Sequence, residues 1–167
     1  KICCIEYKLK VPIFTEFKTE IGPPISQILN IYFPDLDKNH KVKFVNNFRE
    51  KYDNYYFKNI TWYEKVFETL DYLKKEKDAR LFIISNKPTL PCINLLKELN
   101  KLSLFEKVIG IDYKIFNKEK NACIFENKAK AFDYFFLNNN YKKDESIYIG
   151  DTFHDKYAAE SCDLNFI

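Results

Sequence analysis

The 167-residue sequence contains no methionine, three glycines and only two arginines. Because an initiator methionine is missing, we expect Lys1 to lie downstream of the true start of the gene product. The arginines, Arg49 and Arg80, are isolated, and the lysines are dispersed among acidic residues. Nucleic-acid binders concentrate their basic residues on one face, so we expect no nucleic-acid partner.

The sequence also lacks long apolar runs and paired cysteines. No stretch approaches the roughly 18 apolar residues that a membrane span needs, so we expect no membrane partner. The segment Lys1–Cys4 has no apolar stretch typical of a secretory signal. The five cysteines show neither C-x-x-C pairing nor disulfide-like spacing. Together these absences predict a protein of the reducing cytoplasm.

The residues that are present predict a globular protein with a helical first part. Hydrophobic residues make up 46% of the chain and aromatic residues 17%. Up to residue 58, proline and glycine interrupt the chain near Pro12 and at 22–24, and an aromatic run occupies 52–57. Apolar residues recur there at helical spacing, in the sets Ile25, Ile28, Leu29, Tyr32 and Val42, Phe44, Val45, Phe48. We interpret the aromatic run as core packing and predict a small helical domain over residues 1–58.

From residue 59 onward, helical patterns alternate with short apolar runs. Three such runs predict strands at 81–84, 108–111 and 147–149, and we expect another strand to begin at 164–167. The predicted helices carry Trp62, Val66, Leu70 and Leu73 on one face, Ile93, Leu96 and Leu99 after a Thr89 cap, and the segment Lys128–Leu137. This alternation predicts an α/β core with a parallel sheet over residues 59–167.

Polar residues follow two of these predicted strands. Ser85 and Asp151 stand where strands end, which is the edge at which parallel sheets bind ligands. Gly150 permits a tight turn, and Asp151 with Asp155 places two carboxylates one helical turn apart, a donor set that suits Mg²⁺. Lys128 opens a helix and offers the positive charge that phosphoryl transfer needs. Taken singly, Ser85 is typical of a turn and Asp151 of a helix cap, so the prediction rests on their combination.

Histidine and cysteine offer weaker alternatives. His154 lies among aspartates, as a transition-metal ligand would, but we interpret it as an intervening residue rather than a ligand. Cys92, Cys123 and Cys162 have no histidine in a recognisable partnership. We therefore interpret these thiols as buried or incidental rather than nucleophilic.

From about residue 21 to the end, the chain resembles the phosphoglycolate-phosphatase branch of the haloacid-dehalogenase-like (HAD) superfamily. The segment Ile21–Ile25 is similar to the opening of that branch's helical cap, and Ser85–Pro88 resembles its serine motif. Lys128 matches the lysine motif, and Gly150–Asp155 matches the acidic motif. A departure occurs at Thr61–Tyr63, where relatives commonly carry proline and glycine. The four motifs stand in the family's order.

The resemblance implies a Rossmann-like core of the HAD type with a small helical cap. It also implies a Mg²⁺-dependent phosphatase that acts on a small phosphorylated metabolite through an aspartyl-phosphate intermediate. By this resemblance, Ser85 and the backbone N–H of Asn86 bind the transferred phosphoryl group, and Lys128 balances its charge. Asp151 and Asp155 form the metal site, with Asp151 as a ligand and Asp155 holding Asp151 or a metal-bound water.

The family's first motif, D-x-D-G-T, does not occur in the sequence. The resemblance therefore implies that the nucleophile lies upstream of Lys1, on a central strand between those that end at Ser85 and Asp151. An alternative is an inactive HAD-like fragment or copy that acts as a binding protein. A mutase or phosphotransferase of the same fold is a further possibility. The missing nucleophile favours an inactive copy, whereas the retention of four polar site residues, Ser85, Lys128, Asp151 and Asp155, favours an enzyme.

Overall fold

The computed structural model describes residues 1–20, 23, 25–53, 60–111, 125 and 127–167. The chain divides into two compact units, Lys1–Ile60 and Thr61–Ile167. No helix in the described part of the chain is long and apolar enough to cross a membrane. The sequence-based assignment of residues 1–58 as a cap and 59–167 as a catalytic core stays a prediction.

The first unit is helical. Its described helices are α1 (Ile2–Glu6), α2 (Phe14–Thr19), α3 (Ile25–Tyr32) and α4 (Lys38–Lys51). Helices α3 and α4 contact each other, and Leu29 and Phe44 are among their buried residues. Asp37 caps α4 by accepting hydrogen bonds from the backbone N–H groups of Asn39 at 2.9 Å and His40 at 3.1 Å. The helical spacing predicted for α3 and α4 is thus confirmed.

Some sequence-based expectations fall outside the described residues. Most of the aromatic run at 52–57, most of the Ile21–Ile25 motif and Cys123 belong to this group.

The second unit alternates helices and parallel strands. Its elements are α5 (Val66–Glu76), β1 (Phe82–Ser85), α6 (Thr89–Glu98), a 3₁₀ turn (Leu102–Leu104), β2 (Lys107–Gly110), α7 (Lys128–Leu137), β3 (Ile147–Tyr148), α8 (Phe153–Glu160) and β4 (Asn165–Phe166). Strand β1 pairs with β2 in parallel, with Ser85 opposite Gly110, and β3 pairs with β4 in parallel, with Tyr148 opposite Phe166. These findings confirm the predicted α/β class.

Helix α7 contributes side chains to two buried apolar clusters of the second unit. Its residues Ala131 and Phe135 belong to a buried cluster that includes Ile109 of β2, whereas Phe132 belongs to a second cluster with residues of α8. Ile84 of β1 packs against both clusters. The two strand pairs of this unit therefore share a continuous apolar layer, which positions the ends of β1 and β3 relative to α7.

Two predictions about helix starts are wrong. Trp62 precedes α5, because Lys65 has a left-handed φ of 63° and the helix begins at Val66. The Trp62 ring packs instead on Phe67, with 4.6 Å between ring centroids. Thr89 does not cap α6, since it is already the first helical residue. Its hydroxyl accepts a 3.0 Å hydrogen bond from the backbone N–H of Gly110.

Candidate active site

The buried ion pair between Lys128 and Asp155 is the centre of the candidate site. Asn127 caps α7 by accepting a 3.0 Å hydrogen bond from the Lys130 N–H, so Lys128 occupies the first position of the helix. Its ammonium donates to Oδ1 of Asp155 on α8. The side chains are 12% and 5% exposed. Burying both charges is unfavourable unless they are paired and further hydrogen-bonded, and here they are.

Asp155 accepts hydrogen bonds at both carboxylate oxygens. Besides Lys128, Oδ1 accepts from the hydroxyl of Tyr148 at 3.1 Å. Oδ2 accepts from the hydroxyl of Thr152 at 2.6 Å and from its backbone N–H at 3.2 Å. Burial acts to raise the pKa of Asp155, but the hydrogen bonds from Lys128, Thr152 and Tyr148 outweigh it and hold the pKa below its ordinary value. Asp155 is therefore a fixed anion.

Gly150 allows Asp155 to approach the end of β3. A Cβ atom at Gly150 would lie 2.5 Å from Cβ of Asp155 and 2.8 Å from its Cγ. No side chain fits between them without displacing the carboxylate. Glycine at this position therefore serves the packing of Asp155 as well as the turn that leads to Asp151.

Asp151 and Asp155 have different surroundings. Asp151 is exposed and precedes α8, whereas Asp155 is buried within the first turn of that helix. The reason is that Thr152 begins the helix with a capping box, in which its hydroxyl and the Asp155 carboxylate bond each other's backbone N–H. The two carboxylates predicted to share a helical face are thus separated into an exposed group and a buried one.

Ser85 is the last residue of β1. It therefore lies at the carboxyl end of the strand, which is the position that the serine motif predicts. Its hydroxyl accepts a 3.1 Å hydrogen bond from the backbone N–H of Lys87, which shapes the turn that contains Asn86. The chain beyond this turn passes directly against β2. A Cβ atom at Gly110 would lie only 2.2 Å from the backbone nitrogen of Thr89. The position of this turn is therefore determined by backbone contact with β2.

Two residues of the site, Thr152 and Tyr148, were not identified from the sequence. Thr152 followed by Asp155 fits the capping-box pattern, which could have identified it. Tyr148 offers no comparable signal, because a tyrosine in a strand is typical of core packing. Its hydroxyl also donates to the backbone carbonyl of Ile84 at 3.3 Å. Burial, with the Asp155 charge beside it, raises the pKa of Tyr148, so the phenol is neutral.

The described residues fit a hard cation only in part. Within that portion of the chain, no group of three or more His, Cys, Asp and Glu side chains could hold a metal ion. Mg²⁺, however, uses one or two carboxylates together with water and phosphate oxygens, and the exposed Asp151 suits that role. Asp155 already accepts from three residues. The metal-binding roles of Asp151 and Asp155 therefore stay predictions.

The alternative ligand and nucleophiles weighed from the sequence include His154, Cys92 and Cys162. His154 is exposed, and both Cys92 and Cys162 are buried. The Cys92 thiol donates to the carbonyl of Lys87 at 3.6 Å. Burial raises the pKa of the Cys162 thiol, which opposes formation of a thiolate nucleophile.

Comparisons with known proteins agree with this architecture. A family model described as haloacid dehalogenase-like hydrolase matches residues 1–167. The structure is similar to that of a predicted phosphatase from Clostridium acetobutylicum, at 19% identity and a TM-score of 0.81, over 98% of this chain and 71% of that one. It is also similar to a haloacid dehalogenase-like family hydrolase from Streptococcus pneumoniae, at 18% identity and a TM-score of 0.79, over 98% of this chain and 71% of the other.

A search of curated proteins gives no match. At identities below 20%, the structural similarities establish the fold alone. They confirm the Rossmann-like architecture expected from the motifs, whereas the phosphoglycolate-phosphatase branch stays a prediction. Because the family model spans every residue, the chain belongs to the haloacid dehalogenase-like hydrolase family.

Proposed function

We propose that the intact protein is a Mg²⁺-dependent phosphatase that hydrolyses a small phosphate monoester. The observation that carries this proposal is the ion pair of Lys128 and Asp155, which holds an ammonium group near the ends of β1 and β3. Phosphoryl transfer depends on positioning and on stabilisation of negative charge. The buried Lys128 and the exposed carboxylate of Asp151, which follows β3, provide two of the groups that such a reaction uses.

The nucleophile is an aspartate on a segment that precedes Lys1 in the intact protein. Support comes from the strands of the second unit, where β1–β2 and β3–β4 form separate pairs among the described residues. The carbonyl of Ile84 is directed away from β2 and accepts from the side chain of Tyr148. One further parallel strand bonded to this edge would join the two pairs and deliver its carboxyl end beside Ser85 and Asp151.

The reaction proceeds in two displacements. A carboxylate oxygen of the upstream aspartate attacks phosphorus, the ester P–O bond breaks, and a second aspartate of that segment protonates the departing alcohol. Water, deprotonated by the same second aspartate, then attacks phosphorus and releases inorganic phosphate with the nucleophile restored. In both steps, Ser85 and the N–H of Asn86 bind phosphoryl oxygens and Lys128 balances their negative charge.

Asp151 would hold the Mg²⁺ ion, with further oxygen ligands from the upstream segment and from water. When bound, Mg²⁺ neutralises charge on the phosphate group and orients it for in-line displacement. The substrate is a small phosphorylated metabolite. We assign its selection to the helical unit that contains α1–α4, and phosphoglycolate is one candidate of this class.

The test uses the full gene product, including the residues that precede Lys1. Hydrolysis of p-nitrophenyl phosphate and of a panel of small phosphate monoesters is measured with and without Mg²⁺. We expect Mg²⁺-dependent release of phosphate, and a loss of about 100-fold or more in turnover for Asp151→Asn. Asp144→Asn, which alters an exposed carboxylate before β3, is the matched control and should retain activity.

The proposed phosphatase activity would be contradicted if the full gene product showed no Mg²⁺-dependent hydrolysis and Asp151→Asn did not change the measured rate. In that case the alternative of an inactive HAD-like binding protein would take its place. Binding of inorganic phosphate to such a protein, weakened by Lys128→Met, would support that alternative.

A further inference from the structure

Tyr148 contacts both members of the Lys128–Asp155 pair. Its hydroxyl donates to Oδ1 of Asp155 at 3.1 Å, and the Lys128 ammonium lies 5.7 Å from the centroid of its ring. The ammonium and the phenol hydroxyl thus meet the same carboxylate oxygen from different directions. This arrangement restricts the carboxylate to one orientation and the ammonium to one side of it.

We infer that Tyr148 is a positioning residue, which keeps the Lys128 ammonium in place through Asp155 and does not itself touch the substrate. The kinetic part of this inference rests on the proposed function. The structural part, the ordering of Lys128, does not.

The Tyr148 ring is held from several sides. The ring of Phe132 on α7 packs edge-on against it, with 4.8 Å between centroids, and the ring of Phe166 on β4 lies at 6.2 Å. Its backbone belongs to the parallel pair of β3 and β4. A ring fixed in this way presents its hydroxyl at one position, so the hydrogen bond to Asp155 costs little additional conformational entropy.

The hydroxyl also links the acidic motif to β1. It lies 3.3 Å from the carbonyl oxygen of Ile84, the residue before Ser85. A phenol has one proton, so it shares this proton between Ile84 and Asp155. Tyr148 therefore couples the position of Asp155 to the strand that ends at Ser85, and a change in either is transmitted to the other.

Removal of the hydroxyl alone is the direct test. Tyr148→Phe keeps the ring and its packing on Phe132, and leaves Lys128 as the remaining hydrogen-bond donor to Oδ1. The matched control is Tyr157→Phe, which removes the same atom from an exposed tyrosine on α8. A second control, Phe132→Leu, weakens the ring packing while it retains the Tyr148 hydroxyl.

The first readout is the NMR signal of the two ε-methylene protons of Lys128 in the full gene product. An immobilised side chain gives two distinct signals, and we expect them to merge in Tyr148→Phe but to stay distinct in both controls. The second readout is steady-state kinetics of the full gene product. There we expect kcat to fall about tenfold in Tyr148→Phe, the scale for one hydrogen bond to a charged group, with KM within about twofold.

Distinct ε-proton signals in Tyr148→Phe would overturn the inference, as would equal merging in Phe132→Leu, because the effect would then reflect packing alone. If the full gene product hydrolyses no phosphate ester, the proposed function fails while the NMR comparison still decides the role of Tyr148. If the full gene product is active and Tyr148→Phe has the same kcat as the wild type, the positioning role of Tyr148 is contradicted, whereas the proposed phosphatase activity is retained.

Discussion

At the scale of single residues, Asp155 is the most consequential side chain that the structure describes. It is buried, yet it is ionised, because Lys128, Tyr148 and Thr152 all donate to it. An unpaired carboxylate in this position would lose its hydration without compensation. The side chain of Lys128 thus stabilises the fold and serves the proposed chemistry at once.

Replacement of Lys128 by methionine tests the structural part of that statement. The variant keeps most of the side-chain volume but leaves Asp155 without its counter-charge, and we expect the free energy of unfolding to fall by about 3 kcal/mol. The measurement is urea unfolding of the 167-residue chain followed by circular dichroism. Lys130→Met, at a position 63% exposed on the same helix, is the control and should change stability by less than about 0.5 kcal/mol. Equal stability of the two variants would contradict the prediction.

At the scale of elements, an ion pair fixes the starts of β1 and β2, opposite the ends that carry the site. Arg80 precedes β1 and donates to both carboxylate oxygens of Glu106, at 2.8 and 2.6 Å. The hydroxyl of Tyr141 donates to the same carboxylate at 3.2 Å, and its ring lies 4.7 Å from the Arg80 guanidinium carbon. These contacts hold the start of β1 beside the start of β2, at the opposite end of the pair from Ser85 and Gly110.

This ion pair predicts a pH dependence of stability. The hydrogen bond from Arg80 holds the pKa of Glu106 below its ordinary value, despite an opposing effect of desolvation. A carboxyl group with a lowered folded-state pKa stabilises the fold above its unfolded pKa, and this contribution disappears as the pH falls through the folded-state value. We expect the urea midpoint of the wild type to exceed that of Glu106→Gln near pH 6, and the difference to disappear as the pH falls through the folded-state pKa of Glu106.

Glu98→Gln, at an exposed position at the end of α6, is the control for this titration. Its urea midpoint should follow that of the wild type over the whole pH range. A difference between wild type and Glu106→Gln that grows on acidification would contradict the assigned role of the ion pair.

At the scale of the whole molecule, no strand among the described residues pairs with the edge of β1 that faces away from β2. Residues of a strand alternate in direction, and the carbonyl of Ser85 accepts from the N–H of Ile111 beyond β2 at 2.9 Å. Ile83 and Ser85 therefore face β2, whereas Phe82 and Ile84 direct their backbone groups to the other side. On that side Ile84 accepts from a side chain, Tyr148.

Hydrogen exchange can test whether a strand from upstream of Lys1 binds to this edge. In the 167-residue chain, we expect the amides of Phe82 and Ile84 to exchange at least about tenfold faster than those of Ile83 and Ser85, which serve as internal controls. In the full gene product, the amides of Phe82 and Ile84 should become as well protected as the controls. Unchanged fast exchange in the longer protein would show that no strand occupies this edge.

Local sequence patterns predicted most helices and strands well, because the formation of these elements depends largely on residues that are close in sequence. The helix expected from Lys128 to about Leu137 is α7, and the strand expected at 81–84 is β1, displaced by one residue. Local patterns failed at Trp62 and Thr89. The left-handed conformation of Lys65 and the contact between the Trp62 and Phe67 rings keep Trp62 outside α5. The Thr89 hydroxyl, which we expected to cap α6, instead accepts a hydrogen bond from the backbone N–H of Gly110.

The sequence by itself determined the α/β class, the order of the four motifs and the membership of the HAD-like family, because periodicity and motif spacing are properties of the chain alone. Only the tertiary structure decided that Asp155 is buried and Asp151 exposed, and that Lys128 pairs with the former across 27 positions. It also decided that Tyr148 joins them. Contacts of this kind depend on how α7, β3 and α8 pack together, and no local pattern encodes that packing.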